Sequence, residues 1–285
     1  MNNISFVMSE EDIKASAAED SWMNGGGQLN TQEGLYLTYL TKPELVEKIL
    51  PHPLKMRFPI VTVYIINIQE ANFCAPYREA AIMLPALYND MPGTYFVNLQ
   101  LTGYGAEMAI YYGREVSGLP KKLADNISIT RIGDSVSALV ERNGIRIIDV
   151  EAEIGAYNSP KAQGIFGERK AGQVIDGSSY CYKFLFDKDV NGKLSYSNAR
   201  LFYNTSQTLI KEWLPASAKV TLSPSANDPW AELEVVQVLG AGYCRNDVNM
   251  VSSQLVAEPN IEEIIPKLLI GRFDTDIMAK PNRRF

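Results

Sequence analysis

Two adjacent lysines, Lys121 and Lys122, follow a proline in the segment GREVSGLPKKL, residues 113–123. The pKa of a free lysine is about 10.4, so its amine is almost wholly protonated at neutral pH. Repulsion between neighbouring ammonium groups and an apolar environment both lower a lysine pKa. A neutral lysine amine attacks a ketone and forms a Schiff base. An isolated lysine pair is usually solvated surface charge, so the flanking residues decide whether imine chemistry is predicted.

Those flanking residues resemble the signature of the acetoacetate decarboxylase family, in which the reactive lysine lies in a G-R-E-x-x-x-x-P-K-K-L context. By this resemblance, Lys121 is the Schiff-base lysine and Lys122 is the neighbour that perturbs it. Activation of a lysine by a cationic neighbour is an established feature of acetoacetate decarboxylase. The resemblance implies the same activation for Lys121 by Lys122.

A second segment, NFCAPYREA at residues 72–80, carries the same resemblance. In the family, a glutamate in a Y-x-E context reaches the active-site cavity. The resemblance implies that Glu79 is the polar partner near the lysine. Taken alone, a glutamate in such a segment is typical of an exposed or ion-paired turn.

Two positions depart from the family pattern. Tyr64 stands where the family has a second glutamate, and Gln32 stands where it has an arginine before the first long strand. An arginine binds a carboxylate through two parallel hydrogen bonds, so Arg78 and Arg114 are candidates to replace it. A phenol is neutral where a carboxylate is charged. The predicted substrate-binding residues are therefore Arg78, Tyr64, Gln32 and Arg114.

The leading functional hypothesis is a Schiff-base decarboxylase that converts an acetoacetate-like β-keto acid into a ketone and carbon dioxide. The missing arginine and glutamate favour an alternative, an aldolase or dehydratase that acts on a 2-keto acid such as pyruvate. A third possibility is a non-catalytic barrel that binds an apolar ligand, with both lysines solvated. The lysine alone does not decide among them, because fold and nucleophile are shared while specificity depends on the pocket.

Many short strand-like segments with turn residues between them surround these motifs. They predict a mainly β (α+β) protein, an antiparallel, closed, barrel-like sheet with a few peripheral helices. Helices are predicted after Thr41 and over residues 260–269, whereas residues 107–112 are predicted as a strand. Asn143-Gly144 is typical of a hairpin turn. We expect a single acetoacetate decarboxylase-like domain over residues 1–285, with residues 1–28 as a peripheral arm.

Composition excludes several classes of protein. The net charge of −6 and the pI near 5.1 argue against nucleic-acid binding. The sequence has no signal-peptide pattern and no apolar run of the roughly 20 residues that a membrane helix needs. Three widely separated cysteines are typical of free thiols in a reducing compartment. These features predict a cytoplasmic protein without membrane contact.

Neither a metal nor an organic cofactor is expected. The chain has one histidine, His52, and scattered cysteines, which do not form a transition-metal ligand set. The reactive lysine takes the place of a cofactor in the predicted chemistry. The expected partners are a small-molecule keto acid and, by the family resemblance, further copies of the same chain in a homo-oligomer.

Overall fold

A computed structural model of the chain describes residues 9–12, 14 and 27–274, and it shows one twelve-stranded sheet. The strands are β1 (Gln28–Leu40), β2 (Lys55–Met56), β3 (Ile60–Ala71), β4 (Tyr77–Tyr88), β5 (Met91–Thr102), β6 (Lys121–Leu123), β7 (Asn126–Ile132), β8 (Ser135–Arg142), β9 (Ile145–Ile154), β10 (Val174–Lys188), β11 (Leu194–Leu222) and β12 (Gln237–Ala257). The helices are α1 (Pro43–Ile49), α2 (Ala106–Tyr111), α3 (Lys161–Phe166) and α4 (Ile261–Ile270), with a π-helical turn at Tyr112–Val116 and a 3₁₀ turn at Pro229–Glu232.

The sheet is largely antiparallel and closes on itself. Its strand order is β10-β5-β4-β3-β1-β12-β11, and an additional β10–β11 pairing joins the two ends of this series into a ring. The β7–β8–β9 meander continues the sheet from β11, and β6 adds to β5 in parallel. The prediction of a mainly β, barrel-like sheet with few helices is confirmed.

The strands combine long apolar runs with stretches of alternating burial. β3 is buried at most of its positions, because one face packs in the main core and the other in a second apolar cluster. This second cluster contains Tyr64, Ile66, Tyr77 and Leu99, together with residues of α2. It lies around Glu79 and Lys121, so these apolar side chains keep the two charged groups away from water.

The strand predicted over residues 107–112 is wrong, because these residues form α2 and the start of the π-helical turn. Gly103, with φ of 107°, and Gly105 allow the chain to leave β5 sharply. Ala106, Ala109 and Ile110 are then buried at helical spacing. A run of six residues is too short for its periodicity to separate a strand from a helix.

The two predicted helices are present as α1 and α4. Asn260 caps α4, because its side-chain oxygen accepts a hydrogen bond from the Glu262 backbone N–H at 3.1 Å. Asn143 and Gly144 both have positive φ in the β8–β9 hairpin, as predicted. Most of the predicted arm over residues 1–28 lies outside the described residues. No helix in the described residues has both the length and the apolar character needed to cross a lipid bilayer.

Candidate active site

The lysine pair lies on the short strand β6, which pairs in parallel with β5 so that Lys121 is opposite Leu99. Both lysines are 4% exposed. Successive side chains of a strand point to opposite faces. Lys121 therefore lines a pocket, and Lys122 contacts a separate buried polar cluster on the other side of the strand.

Lys121 forms a buried ion pair with Glu79. The distance between Lys121 Nζ and Glu79 Oε2 is 2.9 Å, and each side chain is 5% exposed. The ammonium also lies 5.7 Å from the centre of the Tyr77 ring. Glu79 Oε2 is buried, and among the described residues this ammonium is its one polar partner. The arrangement places an amine and a carboxylate in contact where little water reaches them, so both can act on one bound molecule.

Tyr64, on the neighbouring strand β3, also contacts Glu79. Its phenol donates a hydrogen bond of 2.5 Å to Glu79 Oε1. Ile66 is opposite Glu79 and Tyr64 is opposite Ala81 in the β3–β4 register, which brings the two side chains to adjacent positions on one face. Burial raises the pKa of Tyr64 well above its usual value, and the charge of Glu79 raises it further. The phenol therefore stays protonated and remains a hydrogen-bond donor.

A glycine makes room for the Lys121 side chain. Gly113 lies in the π-helical turn that covers the lysine, and a Cβ atom there would lie 2.7 Å from both Cδ and Cε of Lys121. Such a distance is shorter than two carbon atoms tolerate without movement. Any larger residue at this position would therefore displace the lysine.

The pocket in front of Lys121 has a volume of about 480 Å³. Its charged lining residues are Lys121, Glu79, Arg169 and Asp176. Much of the remaining lining is apolar and aromatic and includes Leu29, Tyr36, Ile66, Phe73, Met83, Phe96, Leu99, Tyr112, Leu119, Val248 and Met250. Pockets of this kind typically hold organic ligands with few polar groups.

Of the four predicted substrate-binding residues, two line the pocket. Tyr64 and Gln32 are both lining residues, and Gln32 is 3% exposed. Gln32 donates a hydrogen bond of 3.0 Å to the Leu29 carbonyl and is opposite Asn246 on β12. The position where the family has an arginine thus contributes a neutral amide to this pocket.

The two predicted arginines lie outside the pocket lining. Arg78 precedes Glu79 on β4 and therefore points to the opposite face, where it donates to the Ile127 carbonyl at 3.0 Å. The Arg114 guanidinium lies 4.7 Å from the centre of the Phe273 ring. The structure does not bring either guanidinium to Lys121, so neither replaces the family arginine in this geometry.

Lys122 belongs to a buried polar cluster. Its ammonium donates to the Asn227 carbonyl at 2.7 Å and lies 3.3 Å from Asp228 Oδ1. Arg142 donates to the other oxygen of Asp228 at 2.7 Å. Burial lowers the pKa of Lys122, and the charge of Asp228 opposes that effect. These contacts anchor β6, while the role of Lys122 as an activating neighbour of Lys121 stays a prediction.

Arg169 is a pocket residue that no sequence motif predicted. It follows α3 in a segment without a motif, and its guanidinium lies 4.4 Å from the centre of the Trp213 ring at the pocket lining. Its position depends on a contact between residues 44 positions apart in the chain, and residue spacing carries no information about such a contact.

The site is a buried lysine–glutamate pair in a largely apolar pocket of a ring-shaped β-sheet, an arrangement typical of an enzyme active site. Comparison with known proteins identifies the family to which the chain belongs. The family model for acetoacetate decarboxylase (ADC) matches residues 16–259. A CLA biosynthesis isomerase from Lactiplantibacillus plantarum is 33% identical over 273 residues, which cover 95% of each chain. An acetoacetate decarboxylase from Burkholderia multivorans is 25% identical over 225 residues, 79% of this chain and 86% of that protein.

A solved structure gives the same result for the fold. The crystal structure of acetoacetate decarboxylase from Legionella pneumophila matches with a TM-score of 0.66 at 18% identity, covering 82% of this chain and 88% of that chain. The chain belongs to the acetoacetate decarboxylase family. The family consists of enzymes, and its members carry the names of both a decarboxylase and an isomerase.

Proposed function

We propose that the chain is a Schiff-base enzyme in which Lys121 forms an imine with a ketone and Glu79 transfers protons on the neighbouring carbon. The main observation that supports this proposal is the contact of 2.9 Å between Lys121 Nζ and Glu79 Oε2. It lies at the wall of a largely apolar pocket. A nucleophile and a proton-transfer group must lie within reach of the same substrate atoms. The family membership supports the same assignment.

The proposed steps use these two residues in turn. The Lys121 ammonium gives up a proton to water, and its amine attacks the ketone carbon. The resulting carbinolamine takes a proton from water as its hydroxyl leaves as water, which gives a protonated imine. The Glu79 carboxylate removes a proton from the adjacent carbon, and the electron pair of that C–H bond moves toward the imine nitrogen to form an enamine. Glu79 then returns the proton, and water hydrolyses the imine to release the ketone and free Lys121.

Decarboxylation of a β-keto acid, the prediction from sequence, starts from the same imine. The bond between the α-carbon and the carboxylate breaks, its electron pair enters the imine, carbon dioxide leaves, and the enamine carbon takes a proton. This step places the substrate carboxylate close to Lys121. The pocket lining near Lys121 offers Tyr64 and Gln32, which are neutral, and the acidic Glu79.

Isomerisation is the second candidate reaction, and the geometry favours it. Moving a carbon–carbon double bond into conjugation with the imine requires removal of a proton at one carbon and its return at another. It needs no cation for a carboxylate beside Lys121. The relative that is 33% identical is named an isomerase. The predicted aldol reaction uses the same enamine, which attacks an aldehyde instead of taking up a proton.

One pair of assays distinguishes these reactions. Hex-4-en-2-one becomes the conjugated hex-3-en-2-one on isomerisation, which is followed by ultraviolet absorbance, and acetoacetate releases carbon dioxide on decarboxylation. We expect faster turnover of the unsaturated ketone than of acetoacetate. Carbon dioxide release without isomerisation would instead establish the decarboxylase, and failure of both reactions would contradict the Schiff-base proposal for these substrates.

Substitution of Gly113 by alanine should misplace Lys121. The added Cβ meets the lysine side chain at 2.7 Å, and a displacement of about 1 Å can lower a rate about 10²-fold. We expect the rate of imine formation to fall by about that factor while the melting temperature changes little, since a flexible side chain can move aside. Gly164→Ala is the matched control, because a Cβ there meets no atom within 4 Å. Equal rates in the two variants would contradict the tight fit.

Tyr64→Phe should weaken the proton-transfer step. The change removes the only phenol that donates to Glu79 Oε1 in the described residues, and it leaves a buried carboxylate oxygen without its partner. We expect isomerisation to slow about tenfold while borohydride-trapped imine still accumulates. Tyr104→Phe, at a tyrosine that is 95% exposed, serves as the control. An unchanged isomerisation rate in Tyr64→Phe would remove Tyr64 from the mechanism.

A further inference from the structure

The pocket has a second polar region, which contains a second cation. It is formed by Arg169, Tyr36 and Asn246, all of which line the pocket. The Arg169 guanidinium lies 4.4 Å from the centre of the Trp213 ring, and the Trp213 and Tyr36 rings are 6.2 Å apart. The three side chains therefore lie around one end of the cavity, which we call the Arg169 region.

The Arg169 guanidinium is available to a ligand. Its Nε donates to the Phe166 carbonyl at 2.9 Å, and its plane packs near the Phe166 and Trp213 rings. Within the part of the chain that the structure describes, no carboxylate forms an ion pair with it. The other acidic lining residues are engaged elsewhere, since Glu79 pairs with Lys121 and Asp176 accepts a hydrogen bond from Gln207.

An unsatisfied buried amide supports a polar ligand at this end. Asn246 is 3% exposed, and its Oδ1 has no hydrogen-bond partner within residues 27–274. It lines the same pocket as Tyr36. A buried polar atom without a hydrogen-bond partner destabilises the protein, and a polar ligand group or a bound water molecule can supply the missing hydrogen bond. A purely hydrocarbon ligand would leave the Arg169 guanidinium without an acceptor, whereas the Asn246 oxygen needs a donor such as a bound water.

One residue from each polar region gives a spacing along the sheet, because Asn246 lies three strands away from Tyr77, the tyrosine that contacts Lys121. Tyr77 beside Lys121 is opposite Ile68, Ile68 is opposite Gln32, and Gln32 is opposite Asn246. Adjacent strands are about 4.8 Å apart, so this row spans roughly 14 Å of sheet. The carbonyl and carboxylate carbons of a β-keto acid are separated by two bonds, and such a molecule does not reach both ends.

Most side chains between the two regions are apolar, although Gln32 also lies there. Ile66 and Leu29 lie on the sheet between Lys121 and the Arg169 region, and Val248 follows Asn246 along the same face of β12. Burying a hydrocarbon chain there is favourable by about 25 cal/mol for each Å² of apolar surface removed from water. The pocket thus has a reactive amine at one end, a largely apolar middle and a cation at the other end.

We propose that Arg169 binds the carboxylate of a keto acid whose ketone reaches Lys121 and whose carboxylate is separated from that ketone by a hydrocarbon segment. This inference rests on the proposed function, because it names the substrate class of the same Schiff-base site. It places the substrate carboxylate on a guanidinium, which binds carboxylates through two parallel hydrogen bonds. It also explains why no arginine is needed beside Lys121.

Calorimetric titration tests the subsite without requiring any reaction. The probes are 9-oxodecanoate and 2-decanone, which share the same methyl ketone and chain length but differ in the terminal carboxylate. We expect wild-type protein to bind 9-oxodecanoate at least about tenfold more tightly than 2-decanone. Arg169→Gln should remove that preference, and Arg169→Lys should restore part of it. Arg146→Gln, at a half-exposed arginine paired with Asp149, is the control.

The outcomes separate this inference from the proposed function. Equal affinity of wild-type protein for the two probes, or an equal loss for both in Arg169→Gln, would overturn the carboxylate subsite, since Arg169 would then only support packing against Trp213. Borohydride reduction with the same probes reports on imine formation. A carboxylate preference that depends on Arg169 without a trapped imine would leave the subsite standing and contradict the Schiff-base proposal.

Discussion

Lys121→Arg is expected to abolish imine formation and to lower isomerisation by roughly 10⁴-fold or more, as for the loss of other covalent nucleophiles. Arginine keeps a positive charge next to Glu79, so the buried carboxylate retains an ionic partner and the protein is expected to fold. The guanidinium stays protonated in proteins and does not act as a nucleophile. Turnover of hex-4-en-2-one and borohydride-dependent mass increase measure the two effects.

Two further variants accompany this one. Lys161→Arg changes an exposed lysine at the start of α3 and is the control, which should leave both readouts unchanged. Lys122→Met removes the ammonium that contacts Asp228, so it should lower the melting temperature, and slower formation of the trapped adduct would support activation of Lys121 by Lys122. Turnover by Lys121→Arg comparable to wild type would show that the chemistry does not pass through this lysine.

Glu79→Gln is expected to separate imine formation from proton transfer. The amide keeps the shape of the carboxylate but does not accept a proton at neutral pH, and loss of a general acid–base group lowers a rate by about 10²–10⁴-fold. We expect the isomerisation rate and the exchange of α-protons for deuterium to fall within this range. The Lys121 imine should still be trapped by borohydride, because the nucleophile remains.

Glu107→Gln, at an exposed glutamate of α2, is the matched control for this experiment. Deuterium exchange into the substrate, followed by nuclear magnetic resonance, reports on proton transfer directly. Unchanged exchange in Glu79→Gln would assign proton transfer to another group. Loss of both exchange and trapping would show that Glu79 acts chiefly by holding Lys121 in place.

The strand pattern predicted the β-rich fold from sequence, and the lysine motif predicted the family. Hairpin signals such as Asn143-Gly144 and the alternating apolar segments depend on local backbone preferences, and these predicted the β-rich fold correctly. Local pattern failed at residues 106–111, where a short apolar run fits a strand and a helix equally well. Ala106, Ala109 and Ile110 pack in the second apolar cluster, and these tertiary contacts favour the helix.

The composition of the site followed less completely from sequence. Glu79 and Arg78 are neighbours in a strand, so only one of them faces the pocket, and the register of β4 with β3 decides which. Arg169 and Asp228 have no local motif. Their places depend on Trp213 and on Lys122 with Arg142, residues that are distant in sequence. Such contacts arise when the sheet closes, and residue spacing does not encode them.

Borohydride reduction in the presence of 9-oxodecanoate, followed by intact-mass measurement and peptide mapping, tests the central claim most directly. We predict a single added ligand mass that maps to the peptide containing Lys121 and is absent from Lys121→Arg. An adduct on Lys122 or on exposed lysines, with Lys121 unmodified, would contradict the assignment of the nucleophile. No adduct with this ketone, acetoacetate or pyruvate would contradict imine catalysis and favour a pocket that only binds its ligand.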